Sequence, residues 1–557
     1  MATPDARQKL RVGILLDSCR VPAWAYAMLE QIHRSDYAEI TLIVLNDTPE
    51  RPQSPLSSFL AHRHLLLYGV YQKLDDRLFR PRPDAFARRD LRDFLAGVPC
   101  MPVVPERSAH ADRFTPEDLR RINEQDLDVL IRLGFRILGG DILRSAKLGV
   151  WSYHHGDSRN EREGPPGFWE VLENRPVTGS VVQILNEDAG AGLVLCDSFS
   201  ATDPWSVKQS CNSAFWKSST MLPRALRTLH RQGAERYLAE TRTRNSAPPL
   251  YARIIRETPT NRELAPLLCR HLTRFLGHRL RHRFSFNQWN LLYDLHDGVS
   301  RPFSQYQRIT PPKDRFWADP NVVFRDDSYY VFFEEVFYRK RRGRIAVLTF
   351  DRAGRPGKPI TVLEPDYHVS YPFVFDWQNR TYMLLESSAA GRIQVFRCEE
   401  FPHRWVFHRN LIEDIAAVDG TLFQHQDKWW LFANVREREG ASICDELFLF
   451  SADSPLSGSW APHPMNPIVS DARRARPAGP LFLHSDAVYR PSQDCSLGYG
   501  HSLVLNRVTV LSEADYREEE VLRLGPDWDK KVRGLHTLSR AGRLTVIDAK
   551  FRRSRLF

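Results

Sequence analysis

The run Ser152-Tyr153-His154-His155-Gly156-Asp157, followed by Arg162, Pro166, Trp169, Thr178-Gly179 and the acidic turn Glu187-Asp188-Ala189-Gly190, decides how the first half of the chain is read. It comes after a segment in which strands and helices alternate. Leu10–Leu16 is an apolar run fit for a buried strand, Ala23–His33 reads as a helix, Ile40–Leu45 is a second strand, and Asp126–Phe135 supplies a later one. That rhythm predicts a parallel, doubly wound α/β sheet. In open α/β sheets, catalytic loops lie at the carboxyl ends of the strands, and the Ser152 segment is expected to be such a loop. No Gly-x-Gly-x-x-Gly follows the first strand, so a dinucleotide site is not supported. Residues from about 47 to 110, rich in Arg, Pro and Leu, read as an insertion.

These residues resemble the active-site segment of the folate-dependent formyltransferases. That family's pattern runs Asn-x-His-Pro-Ser, a loop with Arg-Gly, a Pro, a Trp, then Thr-Gly and Asp-x-Gly. His154, Arg162, Pro166, Trp169, Thr178-Gly179, Asp188 and Gly190 fall at the family spacing, and the resemblance covers about residues 10–225. It implies formyl transfer from 10-formyltetrahydrofolate to an amino group. Such a reaction needs a donor for the developing oxyanion and an imidazole base whose tautomer a carboxylate fixes. The resemblance puts these roles on Ser152, His154 and Asp188, with Arg162 toward the cofactor. Ser152 departs from the pattern, standing where the family has its catalytic Asn. Losing one oxyanion donor costs about 3 kcal/mol, so a slow site, a different acyl donor and a retired site all stay open.

Beyond residue 286 the periodicity changes to two. Tyr329–Phe333, Thr381–Leu385, Lys428–Phe432, Ala487–Arg490 and Arg543–Ile547 are aromatic or β-branched runs about 47 to 60 residues apart. Turn signals such as Asp326-Asp327, Gln378-Asn379 and Gln426-Asp427 precede them. Five such units predict an all-β five-bladed propeller rather than two packed sandwiches. The expected organisation is therefore an α/β domain over 1–225, a helical basic connector over 226–285 and a propeller over 286–557.

The propeller half carries longer motifs: Trp317-Ala318-Asp319-Pro320, His368-Val369-Ser370-Tyr371-Pro372, Glu386-Ser387-Ser388, Val418-Asp419-Gly420-Thr421, Arg476-Pro477-Ala478-Gly479, Arg490-Pro491-Ser492-Gln493-Asp494 and Gly534-Leu535-His536-Thr537. They resemble the N-terminal propeller of plant glucosamine inositolphosphorylceramide transferases, a domain similar to the propellers of furanosidases, arabinanases and levansucrases. Glycoside chemistry generally needs two carboxyl groups facing one bond. Asp319, Glu386, Asp419 and Asp494 are expected to converge on the central channel, one from each blade. Arg476, Arg490, Gln493 and His536 are expected to bind substrate beside them. The competing reading makes Asp319-Pro320 and Asp419-Gly420 ordinary turns. In the pairs Glu334-Glu335 and Asp445-Glu446, one residue should face inward and one solvent.

The formal charge of +10 on 557 residues comes from arginine spread over both halves, with no RNA-binding signature, so nucleic acid is not an expected partner. One concentration stands out, Leu268–Arg283, where Leu268, Leu272, Phe275, Leu276 and Leu280 recur at helical spacing among arginines and histidines. An inter-domain helix that packs this stripe inward is expected; an amphipathic helix on an anionic membrane is the other reading. Eight scattered cysteines form no metal or disulfide pattern. The short polar start argues against a secretory signal, so a cytoplasmic place is expected, with any membrane contact at the inner face. The function expected is formyl transfer to an amino group of a sugar, sugar nucleotide or glycolipid precursor that the propeller holds. The alternatives are a glycosyltransferase or glycosidase site in the propeller itself, and non-catalytic glycan or lipid binding.

Overall fold

The structure is a computed structural model that describes residues 8–49, 63–108, 111–156, 164–187, 192–245, 258–296, 301–351, 354–387 and 391–555. It divides into two compact units, residues 1–272 with 438–441, and residues 273–437 with 442–557.

The first unit is built on a seven-stranded sheet. Its strands are β1 (Leu10–Leu16), β2 (Ala38–Asn46), β3 (Cys100–Val103), β4 (Val129–Arg132), β5 (Val150–His155), β6 (Val177–Ile184) and β7 (Leu193–Ala201). The spatial order is β7-β6-β5-β4-β1-β2-β3. Strands β1 to β5 run parallel, and β6 and β7 add antiparallel to the β5 edge. Strand alternation explains why the sheet is covered on both faces. Val12, Ile14, Leu16, Val129, Ile131 and Trp151 enter one core, whereas Leu15, Leu42, Val44, Leu130 and Val150 enter the other. Helices α1 (Ala23–His33), α2 (Leu66–Leu78), α3 (Val207–Ser218), α4 (Met221–Gln232) and α5 (Asn261–Phe284) accompany it. Two expectations need correction. The 47–110 region is not wholly an insertion, because Cys100–Val103 is the edge strand of the sheet. Ser152 also lies inside β5 rather than in a loop, because it pairs with Arg132 on one side and Gln183 on the other and β5 continues three residues further along β6.

The second unit consists of five sheets arranged as a five-bladed propeller. Each blade begins with the same event, a two-residue turn between its first and second strands: Arg325 pairs Ser328, Trp377 pairs Arg380, His425 pairs Lys428, His484 pairs Ala487 and Ala541 pairs Leu544. At Asp326-Asp327, Gln378-Asn379 and Ser485-Asp486 both turn residues have positive φ, the backbone that follows strand twist in a tight hairpin. These turns are the repeat visible in the sequence.

The strands that matter below are β8 (Ser285–Leu295), β9 (Gln307–Ile309), β10 (Arg315–Arg325), β11 (Ser328–Phe337), β12 (Ser370–Trp377), β13 (Arg380–Ser387), β14 (Ala417–His425), β15 (Lys428–Val435), β16 (Ala487–Asp494), β17 (Val532–Ala541) and β18 (Leu544–Ser554). The two ends of the propeller close the ring in one sheet, ordered β9-β8-β18-β17. Its seam is an unbroken antiparallel register from Ser285–Ser554 to Leu295–Leu544.

Ile547 is fully buried in that seam, in a core with Leu292, Leu535 and Phe551. Ile547→Ala is expected to destabilise the propeller by about 2–5 kcal/mol, read as a lower urea midpoint. A loss under about 1 kcal/mol would mean that closure does not depend on this core.

Candidate functional site

The channel residues are aimed by backbone irregularities. Between Ala318 and Asn321 in β10, Ser370 and Phe373 in β12, and Val418 and Thr421 in β14, the register slips and two residues bulge from the first strand of the blade. The first bulged residue has positive φ each time, at Asp319 (54°), Tyr371 (48°) and Asp419 (53°). A fourth slip lies between Leu535 and Leu538 in β17 and frees His536 and Thr537. Bulges re-aim side chains. The dipeptides Asp319-Pro320 and Asp419-Gly420 are therefore bulges inside strands, not turns. On the second strands, Glu334 pairs Ala318, Glu386 pairs Ser370 and Asn434 pairs Val418, so these three positions are equivalent.

Two linked clusters result. In the first, Arg476 holds Asp419 through both carboxylate oxygens, Nε to Oδ2 at 2.6 Å and Nη2 to Oδ1 at 3.2 Å. Gln493 Nε2 donates to the same Oδ2 at 3.1 Å. Glu386 Oε2 stands 4.0 Å from Arg476 Nη2, and Cys444 Sγ accepts from Nη1 at 3.3 Å. In the second, His536 Nδ1 lies 2.7 Å from Asp548 Oδ1, and its Nε2 lies 3.3 Å from Asp319 Oδ1, to which Thr537 Oγ1 also donates. The His536 ring stacks on Trp289, with centroids 4.1 Å apart. Tyr499, 41% exposed, covers both clusters, with the Arg476 guanidinium 4.7 Å from its ring centroid and His536 edge-on at 5.1 Å.

Removal from water and mutual repulsion set the protonation of these acids. Burial pushes Asp319 up to about 6; Asp419 and Asp548 add to this, and His536 opposes it. Burial, then the charge on Asp419, raises Glu386 well above the carboxylate range, with Arg476 opposing. Burial, then Asp319 and Glu386, does the same to Glu334. For His536 burial disfavours the charge, but Asp548 and Asp319 outweigh it and the pKa rises. A hydrogen bond with Cys495 lowers Cys444 to about 7, against the effect of burial and with help from Arg476. The site thus holds carboxyl groups that burial and mutual repulsion push toward the protonated form, beside a fixed ion pair.

Two expected residues lie apart from this group. Arg490 is fully buried, but its Nε and Nη2 bind Glu518 at 2.7 Å each, and Nη2 also donates to the Arg474 carbonyl. Asp494 accepts from Ser496 and pairs with Arg523. Both sit on β16, whose alternation sends them away while Gln493 turns in. The idea of one acid per blade at matching places is also corrected: Asp319 and Asp419 are equivalent, whereas Glu386 shares the second-strand position of Glu334. Neither Glu335 nor Glu446 is solvated. Glu335 is 2% exposed and held by Arg315, Arg344 and the Trp317 indole, and Glu446 is 4% exposed and accepts from Ser470. Glu334, Tyr371, Cys444 and Asp548 are additions of the structure. Glu334 was detectable as the residue standing to Asp319 as Glu386 stands to Tyr371.

In the first unit, Ser152 is 2% exposed, accepts from Arg132 Nη1 at 3.1 Å and donates to the Tyr153 carbonyl at 3.2 Å. Arg132 is fixed by the carbonyls of Phe135 and Arg136. His155 is structural: its ring stacks 3.7 Å from Phe215, bonds Ser180, and burial together with His154 pushes its pKa down to about 3. Trp169 sits in an apolar core, Thr178 bonds Thr202 and Ser210, and Gly179 accepts from the Gly156 amide. Arg162 and Asp188 lie outside the described residues, so the expected contact of His154 with Asp188 does too.

With this geometry in hand, the likenesses to known proteins can be placed. Residues 305–550 match the family described as "Glucosamine inositolphosphorylceramide transferase 1, N-terminal". The propeller half is similar to that domain. The glucosamine inositolphosphorylceramide transferase 1 of Oryza sativa subsp. japonica is 34% identical over 221 residues, which are 39% of this chain and 29% of the rice protein. A methionyl-tRNA formyltransferase from a Synechococcus strain is 35% identical over 92 residues, 15% of this chain and 27% of that protein. The chain thus spans less than a third of the length of either relative. Among solved structures, a family 117 glycoside hydrolase from Zobellia galactanivorans aligns with 90% of its chain and 47% of this one, at 13% identity and a TM-score of 0.32.

The pKa shifts fix the sign of a pH effect. Asp319, Glu334, Glu386 and His536 all have folded-state values above their unfolded ones, so each binds protons more tightly when folded. Their contribution to stability is present at low pH and is lost as pH rises through the folded values, about 6 for Asp319. His368, His408, His501 and Cys444 shift the other way, so the variant isolates the acid: between about pH 5 and about pH 8 the urea midpoint of Glu386→Gln should rise relative to that of the wild type. A difference between the two proteins that stays constant or falls over that interval would contradict the upward shift of Glu386.

Proposed function

We propose that the propeller binds a sugar or sugar nucleotide and catalyses transfer of a glycosyl group by acid–base chemistry. The observation that carries this reading is the placing of Glu386 and Asp419 on one guanidinium, Arg476, with the first pushed by burial toward the protonated form and the second the bidentate partner. Breaking a glycosidic bond takes one carboxylic acid to protonate the leaving oxygen and a carboxylate to face the anomeric carbon. Glu386 suits the first role and Asp419 the second. Asp319, tuned toward neutrality against His536, suits a hydroxyl-binding or proton-sharing role. The exposed face of Tyr499 gives a sugar ring an aromatic surface. The names of the curated relatives support a glycolipid as the acceptor.

Thermal denaturation with a panel of UDP- and GDP-sugars tests the binding. A ligand present at a hundred times its Kd stabilises by about 2.7 kcal/mol, a visible rise in Tm. Glu386→Gln is expected to keep that rise and to lower turnover at least a hundredfold, the lower end of about 10²–10⁴ for a general acid. No rise with any sugar nucleotide, or full turnover in the variant, would refute the assignment.

A second reading places formyl transfer to a sugar amine in the first unit. It is favoured by one observation, the Arg132 guanidinium delivered to the Ser152 hydroxyl. Together they offer a charged donor at the position where the resembling family has an amide, and a charge-assisted donor suits a developing oxyanion. In this reading 10-formyltetrahydrofolate supplies the formyl group and His154 takes the amine proton. With 10-formyltetrahydrofolate and an amino sugar, His154→Ala should abolish formyl transfer, and Arg132→Ala should lower it about a hundredfold. Ser152→Asn should raise it by restoring the amide. If the wild-type chain neither consumes the folate nor is stabilised by it, this reading fails while the propeller reading stands.

A further inference from the structure

Helix α5 is anchored by its first turns and carries an exposed apolar row along the rest. Leu264 is fully buried, and Leu267 and Leu268 pack with it in a core containing Phe168, Trp169 and Leu172. Beyond that point Leu272, Leu276, Leu280 and Phe284 recur at every fourth residue and so form one row on the helix surface. They are 56%, 56%, 61% and 49% exposed. The expectation that this stripe packs inward is corrected: only its amino-terminal end does. The helix carries Arg262, Arg270, Arg274, Arg279, Arg281 and Arg283, with Glu263 as its one acid. No described helix is long and apolar enough to cross a membrane.

A cavity of about 130 Å³ lies on the flank of the same helix, where it runs into β8. His278, Arg281, His282 and Arg552 line it together with Ser285 and Asn287. Burial, then the positive charges of Arg533 and Arg281, hold Arg552 below the usual arginine range. A pocket of cations that oppose one another is complementary to an anion with several acceptor oxygens.

We propose that α5 seats the protein on an anionic membrane, with Leu272, Leu276, Leu280 and Phe284 in the acyl boundary and the cavity at Arg281 and Arg552 holding a lipid phosphate. Amphipathic helices bind in this way when an apolar row is flanked by basic residues, because apolar burial and headgroup attraction add. Charge decides between this occupant and a second copy of the chain. Two such helices face to face would bring Arg279, Arg281 and Arg283 of each copy together with no acid of that part of the helix beside them, whereas an anionic leaflet neutralises them. The inference is independent of which unit performs the transfer.

Sedimentation of the full chain with vesicles is the test. Pelleting is expected with phosphatidylcholine–phosphatidylserine vesicles and not with phosphatidylcholine alone, and it should weaken as salt rises. Leu276→Glu combined with Leu280→Glu should abolish it. Arg281→Gln and Arg552→Gln should each weaken it about fivefold, the usual worth of one basic residue at such a surface. Far-UV circular dichroism checks that the variants, changed at exposed or edge positions, stay folded. Three results would overturn the proposal: no pelleting of folded wild-type chain, pelleting that the leucine variants leave intact, or a dimer in solution that the same variants dissociate.

Discussion

The carboxylate of Asp548 accepts three backbone N–H bonds, from Asp319 at 2.8 Å, His536 at 3.2 Å and Thr537 at 2.8 Å, while lying fully out of solvent. It comes from β18, the strand that closes the ring, and the amides it binds belong to bulges in two other strands. One side chain therefore joins ring closure to the aim of the site. A buried carboxylate is tolerated only where hydrogen bonds replace its water. Here the replacements are the amides that the bulges release from the β-ladder. Without Asp548 those amides would be buried and unpaired, and Asp319 and His536 would lose the backbone geometry that directs them at each other.

The rest of the channel obeys the same restriction. Burial and mutual repulsion oppose ionising Asp319, Glu334 and Glu386 together. Arg476 pairs with Asp419 by direct contact, and Glu334 and Glu386 are pushed toward the protonated form. Replacing such a cluster with apolar residues often stabilises a protein, so its presence here argues for a use other than holding the fold together. The equivalent position in the next blade is Asn434, fully buried and with no charge to place. The second-strand acids thus stand in two successive blades, at Glu334 and Glu386, and give way to an amide in the third.

The sequence displayed what repeats and concealed what is irregular. The two-residue turns and the aromatic second strands announced five blades, because tight hairpins demand particular residues and those residues recur. The near-continuous apolar runs Leu10–Leu16 and Ile40–Leu45 likewise announced a sheet buried on both faces. The bulges could not be read, since Asp-Pro and Asp-Gly occur in turns as readily as in a bulged strand; only the pairing of Ala318 and Asn321 with β11 distinguishes the two. Arg490 and Asp494 looked like Arg476 and Asp419 in sequence, yet the alternation of β16 turned them toward Glu518 and Arg523. The leucine row of α5 had the spacing of a core stripe. Its exposure depends on what lies beside the helix, which no local pattern encodes.

At neutral pH a carboxylic acid in the channel is expected to keep its proton, and Glu386 is the residue expected to carry it. Infrared spectroscopy of the folded chain in neutral buffer observes this directly through the C=O stretch of a protonated carboxyl group, which ionised carboxylates lack. The account predicts that this band is present in the wild-type protein and weakened in Glu386→Gln, with the remainder falling in Glu334→Gln. A neutral-pH spectrum without the band, or one that the two substitutions leave unchanged, would contradict it.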